Sequence, residues 1–168
     1  INLNDYEIIF VENGSSDNSL EILRSINGLN NKVKIISLSR NFGYQNAILA
    51  GLDYSKKDHA CILDGDLQDP PELIKNFVLK AKEGFDVVYG IRKKRQATFF
   101  KKVSYKLFYF FYHKLSEISV PKEVGEFSLI NRKVINHLKN LREKNLFLRG
   151  LRSWVGFNQI GIEYERLE

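Results

Sequence analysis

Residues 59–73, reading HACILDGDLQDPPEL, constrain the fold more than any other stretch of the chain. Ala60 to Leu63 form a short apolar run closed by a turn signal, the pattern of a buried strand. Asp64 and Asp66 follow at its exit with Gln68 one step further. Alternate residues of an extended chain point to the same side, so the three oxygen-bearing side chains can converge on one hard cation, and Gly65 lets the backbone bend between the carboxylates. Asp69-Pro70-Pro71-Glu72 then reads as a helix start, with Asp69 as N-cap, proline at the first helical position and Glu72 completing a capping box. Ile74, Phe77, Val78 and Ala81 give that helix a buried face. An isolated Asp-x-Asp is commonly just an acidic turn. At the exit of a parallel strand it stands where open α/β sheets bind ligands.

The rest of the chain supplies such a sheet. Tyr6 to Val11 read as a strand running into Glu12-Asn13-Gly14-Ser15-Ser16-Asp17. Asn18 and Glu21 offer a second capping box before a helix whose apolar face holds Leu20, Leu23 and Ile26. Val33 to Leu38 form the next strand, and Ser39-Arg40-Asn41-Phe42-Gly43 lead into a helix with Tyr44, Ala47, Ile48 and Gly51. Asp86 to Ile91 form a further strand that ends at Arg92. Strand and helix alternate throughout, which predicts an α/β domain with a mostly parallel sheet, right-handed crossovers and helices on both faces. Gly125 to Ile130 read as another strand carrying Glu126, with a helix from Asn131 to about Leu141, and Gln159 to Tyr164 as a closing strand. Arg40 could pair with an acid or a phosphate, and Arg149 and Arg152, near the single tryptophan Trp154, could clamp a diphosphate or stack on the ring.

A chain of 168 residues is expected to be one domain, residues 1–168, with enough length for a real core. No apolar run is long enough to span a bilayer. The single Cys61 lies in a predicted buried strand, which excludes a disulfide framework and predicts an inert thiol. His59, His113 and His137 are dispersed without ligand spacing, and no Ser-His-Asp or Cys-His arrangement is present. The net charge of +6 points to an anionic partner: nucleic acid, an anionic membrane surface or a phosphorylated substrate.

Residues 87–116 sharpen that choice. They contain Arg92, Lys93, Lys94, Arg95, Lys101, Lys102, Lys106 and Lys114, no acid, and a dense set of aromatics from Phe99 to Tyr112. A basic aromatic helix suits the headgroup boundary of an anionic bilayer, and it equally suits a helix packed on its own domain with solvated lysines. Nucleic acid, stacked on the same aromatics, is the least favoured partner.

The stretches VENGSSDNS, LSRNFGYQNAILAGLD, DGDLQDPPE, DVVYGIRKKR, VGEFSLINRKV and FLRGLRSWVGF, taken in this order, resemble the catalytic domain of family 2 glycosyltransferases with the Rossmann-like GT-A fold. The similarity is closest to the polyprenyl-phosphate branch, which includes dolichol-phosphate mannose synthase. The resemblance implies metal-dependent, inverting transfer from a UDP- or GDP-sugar to a polyprenyl phosphate, at the cytoplasmic face of a membrane. The alternative it allows is a hydroxyl acceptor in surface-polysaccharide synthesis, and further off lies a non-catalytic binding module.

By the same resemblance, Asp64, Asp66 and Gln68 hold Mg2+ or Mn2+ against the donor diphosphate. Glu12 and Asn13, with Gly14 at the turn, contact base and ribose, and Arg40 belongs to the same nucleotide-sugar site. Arg92 serves the acceptor or phosphate region, as does Arg149. Glu126 stands where the family has an aspartate near the reaction centre, so Asp66, Glu126 and Arg92 are the expected catalytic set. Family members commonly begin one strand earlier and continue into membrane helices. The expectation is therefore a catalytic-domain fragment lacking its first strand, with homo-oligomerisation left open.

Overall fold

The structure, a computed structural model, describes residues 5–93, 123–141 and 147–166. The basic aromatic stretch falls largely within residues 94–122, outside the described residues, and so do residues 142–146. The elements in chain order are β1 (Ile8–Glu12), α1 (Ser19–Leu29), β2 (Val33–Ser37), α2 (Tyr44–Tyr54), β3 (His59–Ile62), a 3-10 turn (Pro71–Leu73), α3 (Ile74–Lys82) and β4 (Val87–Arg92). After these come β5 (Val124–Asn131), α4 (Arg132–Asn140), α5 (Leu148–Trp154) and β6 (Gln159–Tyr164). The α/β class and the parallel pairing predicted by the alternation are present. β1 pairs with β2 in a two-stranded parallel sheet, and the other strands form a sheet in the order β3-β5-β4-β6. Two compact units result, residues 1–60 with 130–147 and residues 61–129 with 148–168.

In the first unit the parallel register runs from Ile8 opposite Val33 to Glu12 opposite Ser37. Gly51 lets α2 lie close to β1, since a Cβ there would sit 3.2 Å from the Val11 side chain. Val33, Leu52, Val134, Ile135 and Leu138 are buried. Asn131 caps α4 by accepting from the Val134 N–H at 3.0 Å. Arg132 ties the start of α4 to the chain before β3, with Nε donating to the Lys57 carbonyl at 3.0 Å.

Helix α1 departs from expectation. Asn18 precedes it, yet its side chain makes no capping bond; its φ of −76° and ψ of 10° lie outside the extended region from which an N-cap reaches forward. Asp17 accepts from the Ser19 N–H at 3.0 Å instead. None of the residues of α1 is buried, and Ile26 is exposed.

The core of the second unit is Phe77, Val78, Val88, Phe127, Leu129 and Tyr164, with Ile74 and Ala81 packed against it, as the helical spacing predicts. Phe77 lies 4.8 Å from Phe127 between ring centroids, and Tyr164 meets Phe127 edge-on at 5.7 Å. Burying a ring such as Phe77 stabilises the fold by about 2–3 kcal/mol. β4 and β6 are parallel, with Val87 opposite Gln159 and Arg92 opposite Tyr164. The polar ends of these two strands therefore emerge side by side.

The start of α3 is also corrected. The 3-10 turn Pro71–Leu73 precedes the α-helix, and Pro70, not Asp69, occupies the cap position without a side-chain bond. Pro71, at the second position after Asp69, has no N–H to offer, which removes one of the two donors an N-cap aspartate uses. Asp69 is drawn into the core instead, fully buried.

Burial pushes the Cys61 thiol up to about 12. Thiolate is the reactive form, so the native protein is expected to resist a thiol-selective disulfide reagent at pH 8 and to react fully once denaturant is added. Rapid labelling of the folded chain would contradict this placement.

Candidate active site

Four of the expected site residues belong to the first unit. Glu12, at the end of β1, is buried; it accepts from the Ser15 N–H with one oxygen and from the Ser37 hydroxyl with the other at 3.1 Å. The Ser15 N–H holds its carboxyl below the usual range against the opposing effect of burial. Asn13 brackets the facing loop: its Nδ2 donates to Asn41 Oδ1 at 3.1 Å and its Oδ1 accepts from the Phe42 N–H at 3.0 Å. Gly14 has φ +75°, and a Cβ there would lie 2.5 Å from the Arg40 backbone, so only glycine lets these two strand exits touch. Arg40 stacks on Phe42 with 4.2 Å from Cζ to the ring centroid and is exposed.

The remaining residues belong to the second unit. Asp64 is half-buried and Asp66 exposed in the turn after β3, where Leu67 adopts a left-handed φ of 57°. That conformation folds the loop back so that Asp66 Oδ1 accepts from the Gln68 N–H at 3.0 Å. Asp66 Oδ2 lies 3.3 Å from Nη2 of Arg166. The donors here are all oxygen, and Asp66 is 48% exposed. Among the described residues, no group of three or more His, Cys, Asp and Glu side chains is placed to hold a metal. Asp64, Asp66 and Gln68 nevertheless carry only oxygen donors of the kind that hard cations such as Mg2+ take, with water and phosphate oxygens completing the shell.

Arg92, at the end of β4, contacts Asp69 and Tyr164. Its Nη2 is 3.3 Å from Asp69 Oδ2, and its Nε donates to the Tyr164 hydroxyl at 3.1 Å. Burial works against the Arg92 charge, but the bonds to Tyr164 and the charge of Asp69 outweigh it and hold the guanidinium above its ordinary pKa. Burial, reinforced by Asp69, pushes the Tyr164 phenol up to about 12, so it stays a neutral donor to Asp69. Arg166 Nε is 3.4 Å from Asp69 Oδ1. Asp66, Asp69, Arg92 and Arg166 thus form a charge-balanced chain of carboxylates and guanidiniums.

Glu126 lies half-buried on β5. The guanidinium of Arg152 is destabilised by burial and partly supported by the Glu126 charge. Arg152 donates to the Ser128 hydroxyl at 2.8 Å and sits 5.2 Å from the Tyr89 ring centroid, so it is a core residue, not a surface clamp. Arg149 Nη1 donates to the Val124 carbonyl at 2.8 Å. Asp69, Tyr164 and Arg166, which join the cluster around Asp66 and Arg92, are not among the residues expected at the site from sequence.

The family model for glycosyl transferase family 2 matches residues 2–139. This chain belongs to that family. Among its relatives, an uncharacterized glycosyltransferase of Bacillus subtilis, YkcC, is 50% identical over 98% of this chain and 51% of its own length. A bactoprenol glucosyl transferase of Shigella phage SfV is 36% identical over 98% of this chain and 54% of its own. The chain spans about half the length of the curated relatives it matches. A solved mannosyltransferase of Pyrobaculum calidifontis, in complex with GDP-Man and Mn2+, superposes with a TM-score of 0.65 at 16% identity, covering 96% of this chain and 47% of that one. TarS of S. aureus superposes at 0.61 with 12% identity, covering 95% and 49%. The fold of this chain is GT-A.

Proposed function

We propose that this glycosyltransferase moves a sugar, with inversion, from a UDP- or GDP-sugar to a polyprenyl phosphate at a membrane surface, with Mg2+ or Mn2+ held by Asp64, Asp66 and Gln68. The observation that carries the acceptor is the 36% identity, across almost the whole chain, to a protein named for transfer to bactoprenol, a polyprenol. The oxygen-only donor set of the β3 exit loop supports the cation, and a cation bound there would neutralise charge on the donor diphosphate as a Lewis acid.

The chain's own residues have separable tasks in this reading. Arg92 offers N–H donors to a phosphate oxygen, in the geometry guanidinium uses for such anions. An acceptor oxygen attacks the anomeric carbon from the face opposite the diphosphate; the new C–O bond forms as the old one breaks, and the diphosphate leaves with the electron pair. A lipid phosphate is already ionised near neutral pH, so the transfer needs no proton taken by Glu126. Arg149 supports the same phosphate region. Glu12, Asn13, Gly14 and Arg40 remain assigned to the nucleotide by the family resemblance alone.

No helix among the described residues is long and apolar enough to cross a membrane. Membrane action rests on the basic aromatic sequence of residues 94–122 and on the acceptor. The second reading, transfer to a sugar hydroxyl, gives Glu126 the role of general base. Undecaprenyl phosphate and a free oligosaccharide, offered side by side to the full-length protein with UDP-glucose or GDP-mannose, separate the two. Labelled sugar is expected in the lipid fraction, and label found in the oligosaccharide alone would establish the second reading.

A further inference from the structure

We propose that Tyr164 and Asp69 are positioning residues of the transfer reaction: from inside the core they fix the Arg92 guanidinium in space that Gly125 leaves open. The proposal rests on the reading of Arg92 as a phosphate-binding cation.

Three observations carry it. The first is register, since Arg92 and Tyr164 are direct neighbours on β4 and β6, so their side chains leave the sheet together. The second is the rigidity of Tyr164. Its ring meets Phe127 edge-on and crosses Gly90 so closely that a Cβ there would lie 2.6 Å from a ring carbon. The hydroxyl therefore has one place to be, donating to Asp69 and accepting from Arg92 Nε at 3.1 Å. The phenol's pushed-up pKa keeps that donor proton in place. The third is the vacancy at Gly125, where a Cβ would meet Arg92 Nη2 at 2.7 Å and Cζ at 3.1 Å. Any side chain at that position evicts the guanidinium without touching its charge.

Together these hold one edge of Arg92 and leave the other. Nε is taken by Tyr164 and Nη2 by Asp69, while the Arg92 side chain remains 30% exposed. A planar guanidinium has five N–H donors, so the Nη1 edge remains for an anionic oxygen. Stability alone accounts poorly for such an arrangement, because a buried ion pair is commonly no better for stability than apolar packing of the same volume. A fixed orientation is what it supplies, and orientation is what a transfer between two phosphorylated substrates needs.

Two variants of the full-length protein test this, Tyr164→Phe, which keeps the ring and deletes the hydroxyl, and Gly125→Ala, which keeps every polar group and fills the space. One readout is hydrogen exchange at the Arg92 Nε–H, assigned by its loss in Arg92→Lys. The other is kcat/KM with UDP-glucose or GDP-mannose and undecaprenyl phosphate. The Nε–H is expected to be protected in the wild type and to exchange at least about tenfold faster in both variants, with kcat/KM lowered about tenfold to a hundredfold. Protection retained in both variants, or kcat/KM unchanged per folded molecule, overturns the proposal. A wild type that shows the protected Nε–H and its loss in the variants, but transfers no sugar to any acceptor, supports the positioning and overturns the functional reading.

Discussion

Asp66→Ala is expected to lower sugar transfer by about a thousandfold or more while leaving the melting temperature within about 1 °C of the wild type. The catalytic loss follows from removing a carboxylate that the proposed cation needs, because charge stabilisation at such a site is worth several kcal/mol and each 1.36 kcal/mol is tenfold in rate. The unchanged stability follows from exposure. Asp66 is about half exposed and its partner Arg166 a third, so their ion pair contributes about 0–1 kcal/mol. Arg166 also keeps its second carboxylate, Asp69. Steady-state transfer rates and a thermal melt on the same preparation check both halves. An active Asp66→Ala protein would remove the cation from the account.

Asp69→Ala is expected to do the reverse first, destabilising the fold by about 3 kcal/mol, the low end for breaking a buried ion pair. For a chain of this size that is a fall in melting temperature of about 10 °C. The substitution strands the Tyr164 hydroxyl in the core and leaves Arg92 and Arg166 without their shared carboxylate. Both arginines are partly exposed and can turn towards water, which keeps the cost from being larger. Asp69→Asn preserves shape and an acceptor for Tyr164, so it is expected to cost about half as much. Denaturant titrations of the two variants give the comparison, and equal stability of Asp69→Ala and wild type would show that the cluster is not what holds this end of the sheet.

The elements of the fold were legible because hydrophobic periodicity and turn chemistry agree along most of the chain. β6 has the predicted bounds, and β2 and β4 differ from prediction by a residue at one or both ends. The buried face of α3 was legible for the same reason, since Phe77 and Val78 fall on the side that the 3.6-residue period selects. The caps were not. Asn18 and Asp69 have the right identity and spacing for N-caps, but capping depends on the local backbone and on which N–H groups exist. Asn18 lacks the extended conformation, and Pro71, two residues after Asp69, lacks one of the two donors a cap there would use. The acidic end of the candidate site could be read from Asp64 and Asp66 because both lie within one loop. The arginine end could not, because Arg92 and Tyr164 become neighbours only through the β4–β6 register, across 72 residues of sequence, and Asp69 reaches both from the loop after β3. Local patterns carry no information about such a pairing. Arg152 shows the same limit from the other side: near Trp154 it could be a diphosphate clamp or a stacking partner for the ring, and the fold buries it against Ser128 and Tyr89.

The central claim is that the β3 exit loop binds the donor diphosphate through a divalent cation. Titration calorimetry of the full-length protein with UDP-glucose and GDP-mannose, in Mn2+ and again in excess chelator, measures it directly. The account predicts that one of the two donors binds in Mn2+, that chelation weakens its binding at least about a hundredfold, and that Asp66→Ala binds as weakly in Mn2+ as the wild type does in chelator. Donor binding of equal strength with and without the cation would contradict it.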